Sequence, residues 1–156
     1  MIKKFELDLS SKITVFGIEL FRVKALISFG NVKEGELGGY IAKEGNLSHY
    51  GNAWVYGNAR VSGNAEVYGD AMVSGNAEVY GNAEVSKLND HIVFKNSWSS
   101  GRYFTYTRSN QKWRVGCFYG TSEELIKKAY QDSEDSGRHY EAYVNFVKTL
   151  EALDDK

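Results

Sequence analysis

The residues best suited to hold a ligand lie in one stretch near the C-terminal end. Arg102, Arg108, Lys112 and Arg114 are interleaved there with Tyr103, Phe104, Tyr106 and Trp113. Arginine beside aromatic rings on adjacent strands can stack a base and grip a phosphate. Ser100-Gly101-Arg102 is the sharpest part, because glycine lets backbone approach a ligand and a guanidinium then holds an anion. Ser100, Arg102, Tyr106, Arg108 and Arg114 are therefore the candidate ligand or partner contacts. The competing reading is an ordinary hairpin with one aromatic face in the core and arginines snorkelling outward. Cys117 is the single cysteine, and alternation places it with Trp113 and Val115 on a face that reads as core. His49, His91 and His139 are scattered and give no zinc spacing with one cysteine. No GxGxxG or Walker pattern occurs. Glu66, Asp70, Glu78 and Glu84 read as a solvated face. Catalytic residues, a metal and a cofactor are accordingly not expected.

The elements that carry these residues follow from an internal repeat. From Tyr50 the chain reads in sixes: YGNAWV, YGNARV, SGNAEV, YGDAMV, SGNAEV, YGNAEV, ending at Val85. The register extends weakly back to Val32 through Leu37, Ile41 and Asn46-Leu47. Ala and Val of each hexad are two apart and share one face of a short strand. Glycine with asparagine turns the chain at positive φ. Six residues hold one strand and one corner, so three hexads close a coil of eighteen, stacked on the next. A right-handed coil is the competing hand. Charge marks the same limits: the repeats carry three Lys/Arg against seven Asp/Glu, while residues 1–31 and 86–156 are near neutral or slightly basic. Three domains are expected: 1–31 as a short N-terminal β cap, 32–85 as the repeat coil, and 86–156 as a β-hairpin with two helices. In the first, strands are expected over 4–9, 13–15 and 18–27, with Ser10-Ser11 as a turn. In the last, Thr121 and Glu124 form a capping box opening a helix to about Tyr130, and a second helix spans about Arg138 to Leu153.

The chain has 156 residues, a net charge of −1 and one cysteine. This length folds without staples, the single cysteine excludes an intrachain disulfide, and a reducing cytoplasm fits best. The N-terminus lacks the apolar stretch of a signal peptide, and no apolar run is long enough to span a membrane. The charge balance does not favour direct nucleic-acid binding.

The GNA-V hexads resemble the hexapeptide-repeat, left-handed β-helix family, although Tyr or Ser stands after the valine where that family commonly has glycine. The fold class this implies is mainly β: a left-handed parallel β-helix of hexapeptide repeats, with the N-terminal β cap and the C-terminal α+β module at its ends. The run Phe29-Gly30-Asn31 to Ile41, Ser100-Gly101-Arg102, Thr105-Tyr106 and Gly116-Cys117-Phe118-Tyr119-Gly120-Thr121 is similar to uncharacterised bacteriophage and prophage proteins. That resemblance implies a non-enzymatic phage-type binding protein in the host bacterial cytoplasm. Its expected role is to inhibit a bacterial defence system, anti-CRISPR-like or another counter-defence, by binding a host protein or sequestering a small nucleotide signal. Two alternatives stand beside it: a hexapeptide-repeat acyltransferase, which needs a histidine to deprotonate its acceptor, and a structural oligomerisation module. Residues eighteen apart share a side, so Tyr50 and Trp54 fall over Tyr68 and Met72. This uncharged, aromatic face is the expected oligomer interface of a homotrimer.

Overall fold

The computed structural model describes residues 2–154. β1 (Phe5–Val15) and β2 (Ile18–Ala25) form an antiparallel hairpin closed by Phe16 and Gly17, at φ +49° and +79°. Positive φ at both turn residues matches the twist of the flanking strands. The expected break at Ser10-Ser11 is instead a bulge inside β1. Asp8 anchors it, accepting from both hydroxyls at 2.7 and 2.6 Å. β3 (Leu37–Ile41) pairs antiparallel with β2.

The hexads then give six strands of two residues: β4 (Trp54–Val55), β5 (Arg60–Val61), β6 (Glu66–Val67), β7 (Met72–Val73), β8 (Glu78–Val79) and β9 (Glu84–Val85). Parallel pairs join Trp54 to Met72, Arg60 to Glu78 and Glu66 to Glu84. Alanine and valine of every hexad are buried. Each repeat glycine from Gly51 to Gly81 lies at φ between +59° and +68°, so the other four residues of a hexad make the corner.

The expectation of a mainly β, left-handed parallel β-helix does not hold. The protein is a small mixed α/β fold with a five-stranded mixed sheet, β1-β2-β3-β5-β8, and two isolated two-stranded pairs, β4-β7 and β6-β9. A four-stranded antiparallel sheet and two helices complete it. The physical reason is that two-residue strands build no extended sheet of their own. Those on one side are absorbed into the N-terminal hairpin's sheet, which crosses the expected boundary at residue 31.

The antiparallel sheet comprises β10 (His91–Lys95), β11 (Tyr103–Thr107), β12 (Lys112–Val115) and β13 (Phe118–Thr121). Its cross-strand rows alternate in facing. Ile92, Tyr106, Trp113 and Gly120 form one row, and Phe94, Phe104, Val115 and Phe118 another; their apolar members pack with the helices. Val93, Thr105, Arg114 and Tyr119 form the row facing the hexads, where Val93 packs on the repeat core. α1 (Ser122–Asp132) opens on the Thr121–Glu124 capping box. α2 (Glu134–Asp154) starts four residues before its expected position. Gly137 allows this, because any side chain there would collide with the Tyr130 ring. Among the described residues no helix is long and apolar enough to cross a membrane.

Three backbone carbonyls at the start of the hexads are closed by three different groups. Ala53, Ala59 and Ala65 hold the same place in three successive hexads. Their carbonyls accept from Lys4 Nζ at 2.7 Å, the Tyr40 amide at 2.9 Å and Asn46 Nδ2 at 2.8 Å. Lys4 is only 1% exposed, and its ammonium also lies 4.6 Å from the Phe29 ring centre. Burial lowers its pKa to about 8, partly opposed by the charge of Asp70. Between pH 8 and the ordinary lysine value the unfolded chain binds more protons than the folded one, so stability rises with pH there. Chemical denaturation should show a gain of about 2 kcal/mol from pH 8 to 10, which Lys4→Met should lack; parallel profiles would show that Lys4 carries no such penalty. A second expected outcome concerns Gly38. A Cβ there would lie 2.7 Å from Val23 and 2.8 Å from Trp54. Gly38→Ala should cost about 2 kcal/mol by overpacking, whereas Gly45→Ala, with open space around it, should stay within about 0.5 kcal/mol. Thermal melting of both variants compares them, and equal melting temperatures would refute the overpacking.

Candidate functional site

Three parts of the chain meet beside β5 and β8. The hexads supply Arg60 and Glu78, eighteen residues apart and joined at 3.0 Å from NH2 to Oε1. The tip of the β1–β2 hairpin supplies Phe16, which is 60% exposed. The antiparallel sheet supplies Arg114 from its hexad-facing row and Arg102 from the approach to β11. The Arg114 guanidinium lies 4.4 Å from the Tyr80 ring centre and 5.5 Å from that of Phe16. It therefore bridges the hairpin to the repeats. The Arg102 side chain runs over Gly116, where any Cβ would collide with it. Phe16, Arg60, Glu78, Arg102, Tyr103 and Gly116 line an open cleft of about 210 Å³. A recess of about 20 Å³ adjoins it, lined by Arg60, Glu78 and Arg114.

Across the cleft and its recess the charge balance is three guanidiniums to one carboxylate. Burial pushes the Glu78 carboxyl above the usual range, and Arg60, Arg114 and Arg102 pull it partly back. The reading of Glu78 as fully solvated is thus corrected: its side chain is 13% exposed. Its backbone amide donates to Thr105 Oγ1 at 2.9 Å, so the strand that carries it is fixed to the sheet above. Excess positive charge with exposed aromatic faces suits an anionic ligand that carries a planar group.

Of the five expected contacts, Arg102 and Arg114 come together here and the others do not. Ser100 Oγ accepts from the Arg102 amide at 3.2 Å and shapes the turn. Tyr106 is buried, and its hydroxyl donates to Glu151 at 2.9 Å. Burial and that carboxylate push the phenol's pKa upward. Arg108 bonds Asp154 at 2.7 Å and lies 3.8 Å from Glu151. Tyr106 and Arg108 therefore fasten β11 to α2. The alternation of the strand decides this, since Tyr106 belongs to the helix-facing row and Arg114 to the opposite one. Sequence reasoning missed Phe16 and Tyr80 altogether. The eighteen-residue register signalled the Arg60–Glu78 pair, but nothing in the sequence marked it as the floor of a cleft.

Other expected positions also move. Cys117 is exposed, not core, because it occupies the two-residue turn between β12 and β13 that Gly116 opens at φ +56°. Trp54 is not an interface residue: it is fully buried, with the Phe5 and Phe29 rings packed edge-on against it. Tyr50, Tyr68 and Met72 remain exposed at 69%, 36% and 52%. No histidine lines the cleft. His49 Nδ1 accepts from the Lys4 amide at 3.0 Å, which places the proton on Nε2, 2.7 Å from Glu44. Its ring stacks on Phe5 at 4.2 Å, leaving no free nitrogen to act as a base. His91 is half-buried with its pKa lowered by burial, and His139 stacks on Trp98 at 4.4 Å.

Comparison with protein-family models and with curated proteins finds no match for this chain.

The two cleft arginines should separate by their effect on stability. Arg114→Ala removes both ring contacts and one counter-charge of Glu78, and should cost about 1–2 kcal/mol in chemical denaturation. Arg102 is exposed and makes no ion pair among the described residues, so Arg102→Ala should stay within about 0.5 kcal/mol. Equal losses would make Arg102 structural.

Proposed function

We propose that this protein is a non-enzymatic binding protein whose arginine-lined cleft captures a small anionic ligand of nucleotide type. The observation that carries this reading is the grouping of Arg60 and Arg102 with the Glu78 carboxylate in one cleft, with Phe16 and Tyr103 at its rim and Arg114 in the adjoining recess. Guanidiniums supply anion contacts, and the rings supply a stacking surface for a base. The likeness to phage and prophage proteins adds the setting: the host cytoplasm, where holding a signal nucleotide withholds it from a defence system. A homotrimer joined through Tyr50, Tyr68 and Met72 belongs to the same proposal, with Trp54 removed from the contact.

Isothermal titration with a panel of mononucleotides and cyclic dinucleotides tests it. Binding should be measurable at low ionic strength and weaken as salt screens the arginines. Arg102→Ala should weaken it about tenfold, the loss of one charge-assisted contact, with the melting temperature unchanged. Absence of nucleotide binding by the wild-type protein at low salt would end the proposal. Light scattering on the same samples reads the association state, for which a trimer mass is expected and a monomer mass removes that part.

A further inference from the structure

The cleft is ordered by charge as well as shaped, and resting on the nucleotide reading above, that order selects a base. Its floor is the Glu78 carboxylate. Oε1 is engaged by Arg60 at 3.0 Å, while Oε2 makes no hydrogen bond among the described residues. Its rim carries Arg102, exposed and unpaired, beside the exposed rings of Phe16 and Tyr103. A bare phosphate would meet repulsion at the floor. A ligand with N–H donors at one end and an anion at the other satisfies both. A cleft of about 210 Å³ takes a base in its depth and leaves the sugar and phosphate at the open rim, where Arg102 stands.

Among the common bases, guanine presents two adjacent N–H donors, at N1 and N2, that match the two oxygens of one carboxylate. Adenine and cytosine set a single amino donor beside a ring-nitrogen acceptor, which faces the second oxygen unfavourably. Uracil flanks its one N–H with carbonyls. We propose that the cleft binds a guanine nucleotide, with N1–H and N2–H on the Glu78 carboxylate, the ring against Phe16 or Tyr103, and the phosphate on Arg102. Arg60 opposes the effect of burial on Glu78 and orients its carboxylate, and acts on the base only through it.

Titration calorimetry with guanosine, inosine and adenosine 5′-monophosphates tests this, with guanosine as the phosphate-free probe. Inosine lacks only the N2 amine. The wild-type protein should bind the guanosine monophosphate about tenfold more tightly than the inosine compound, the worth of one hydrogen bond to a charged acceptor. Glu78→Gln should bring that ratio near one, whereas Glu84→Gln, the same hexad position on another side, should keep it. Arg102→Ala should weaken the monophosphate and leave guanosine unchanged. Equal binding of the three monophosphates by the wild type, or a ratio that survives in a folded Glu78→Gln protein, overturns the guanine assignment and leaves nucleotide capture standing. If Glu78→Gln does not fold by circular dichroism, the wild-type ratio and the Arg102→Ala comparison still decide. If no nucleotide binds at all, capture itself fails and the base assignment falls with it.

Discussion

Backbone ladders have ends, and an end that faces neither water nor a partner costs free energy. In this protein that constraint organises everything outside the hexads. Each of the first three hexads donates to the hexad eighteen residues on: Trp54 N to Ala71 O, Arg60 N to Ala77 O and Glu66 N to Ala83 O. The carbonyls of Ala53, Ala59 and Ala65 are therefore left over, and the N-terminal region closes them with a lysine, a strand amide and an asparagine. At the other end the amides of Glu78 and Glu84 are met by the hydroxyls of Thr105 and Ser109, at 2.9 and 2.7 Å. The flanking regions are thus terminators chemically fitted to the hexads. This explains why Lys4 and Asn46, polar residues that ordinarily stay in water, are almost wholly buried.

The cleft is a by-product of that closure. In the mixed sheet the β3-β5-β8 run is extended at one end by the hairpin and contacted at the other by β11. The hairpin is long enough for its tip to reach the arginine row of the sheet, and Arg114 spans the gap between the Phe16 and Tyr80 rings. An ion pair that would be worth little on an open surface is there roofed by two further guanidiniums. Glu78 is desolvated by this arrangement, and Arg60 compensates at contact distance. A cleft with a carboxylate floor and a guanidinium rim follows from where the two terminators meet.

Legibility in the sequence followed the range of the forces involved. The hexad period determined the pairing of residues eighteen apart and the burial of each alanine and valine, because a two-residue alternation and a glycine corner are local properties. The Thr121–Glu124 cap was legible for the same reason. Those signals did not determine the fold class. How many residues of a hexad pair, and which sheet they join, depends on what docks against each side, so a uniform coil was expected where a mixed sheet formed. Trp54 occupies an outward hexad position, yet the arriving Phe5 and Phe29 rings cover it. Cys117 shared a strand period with Trp113 until a two-residue turn at Gly116 ended that strand. The candidate site divides in the same way. Arginines beside aromatics could be read directly, and alternation within β11 and β12 then sent Tyr106 inward to the helix and Arg114 outward to the hexads. Phe16, ninety-eight residues before Arg114 along the chain, reaches it only through the packing of both flanking regions on the hexads. Contacts between segments so far apart depend on tertiary assembly, and no local pattern of residues encodes them.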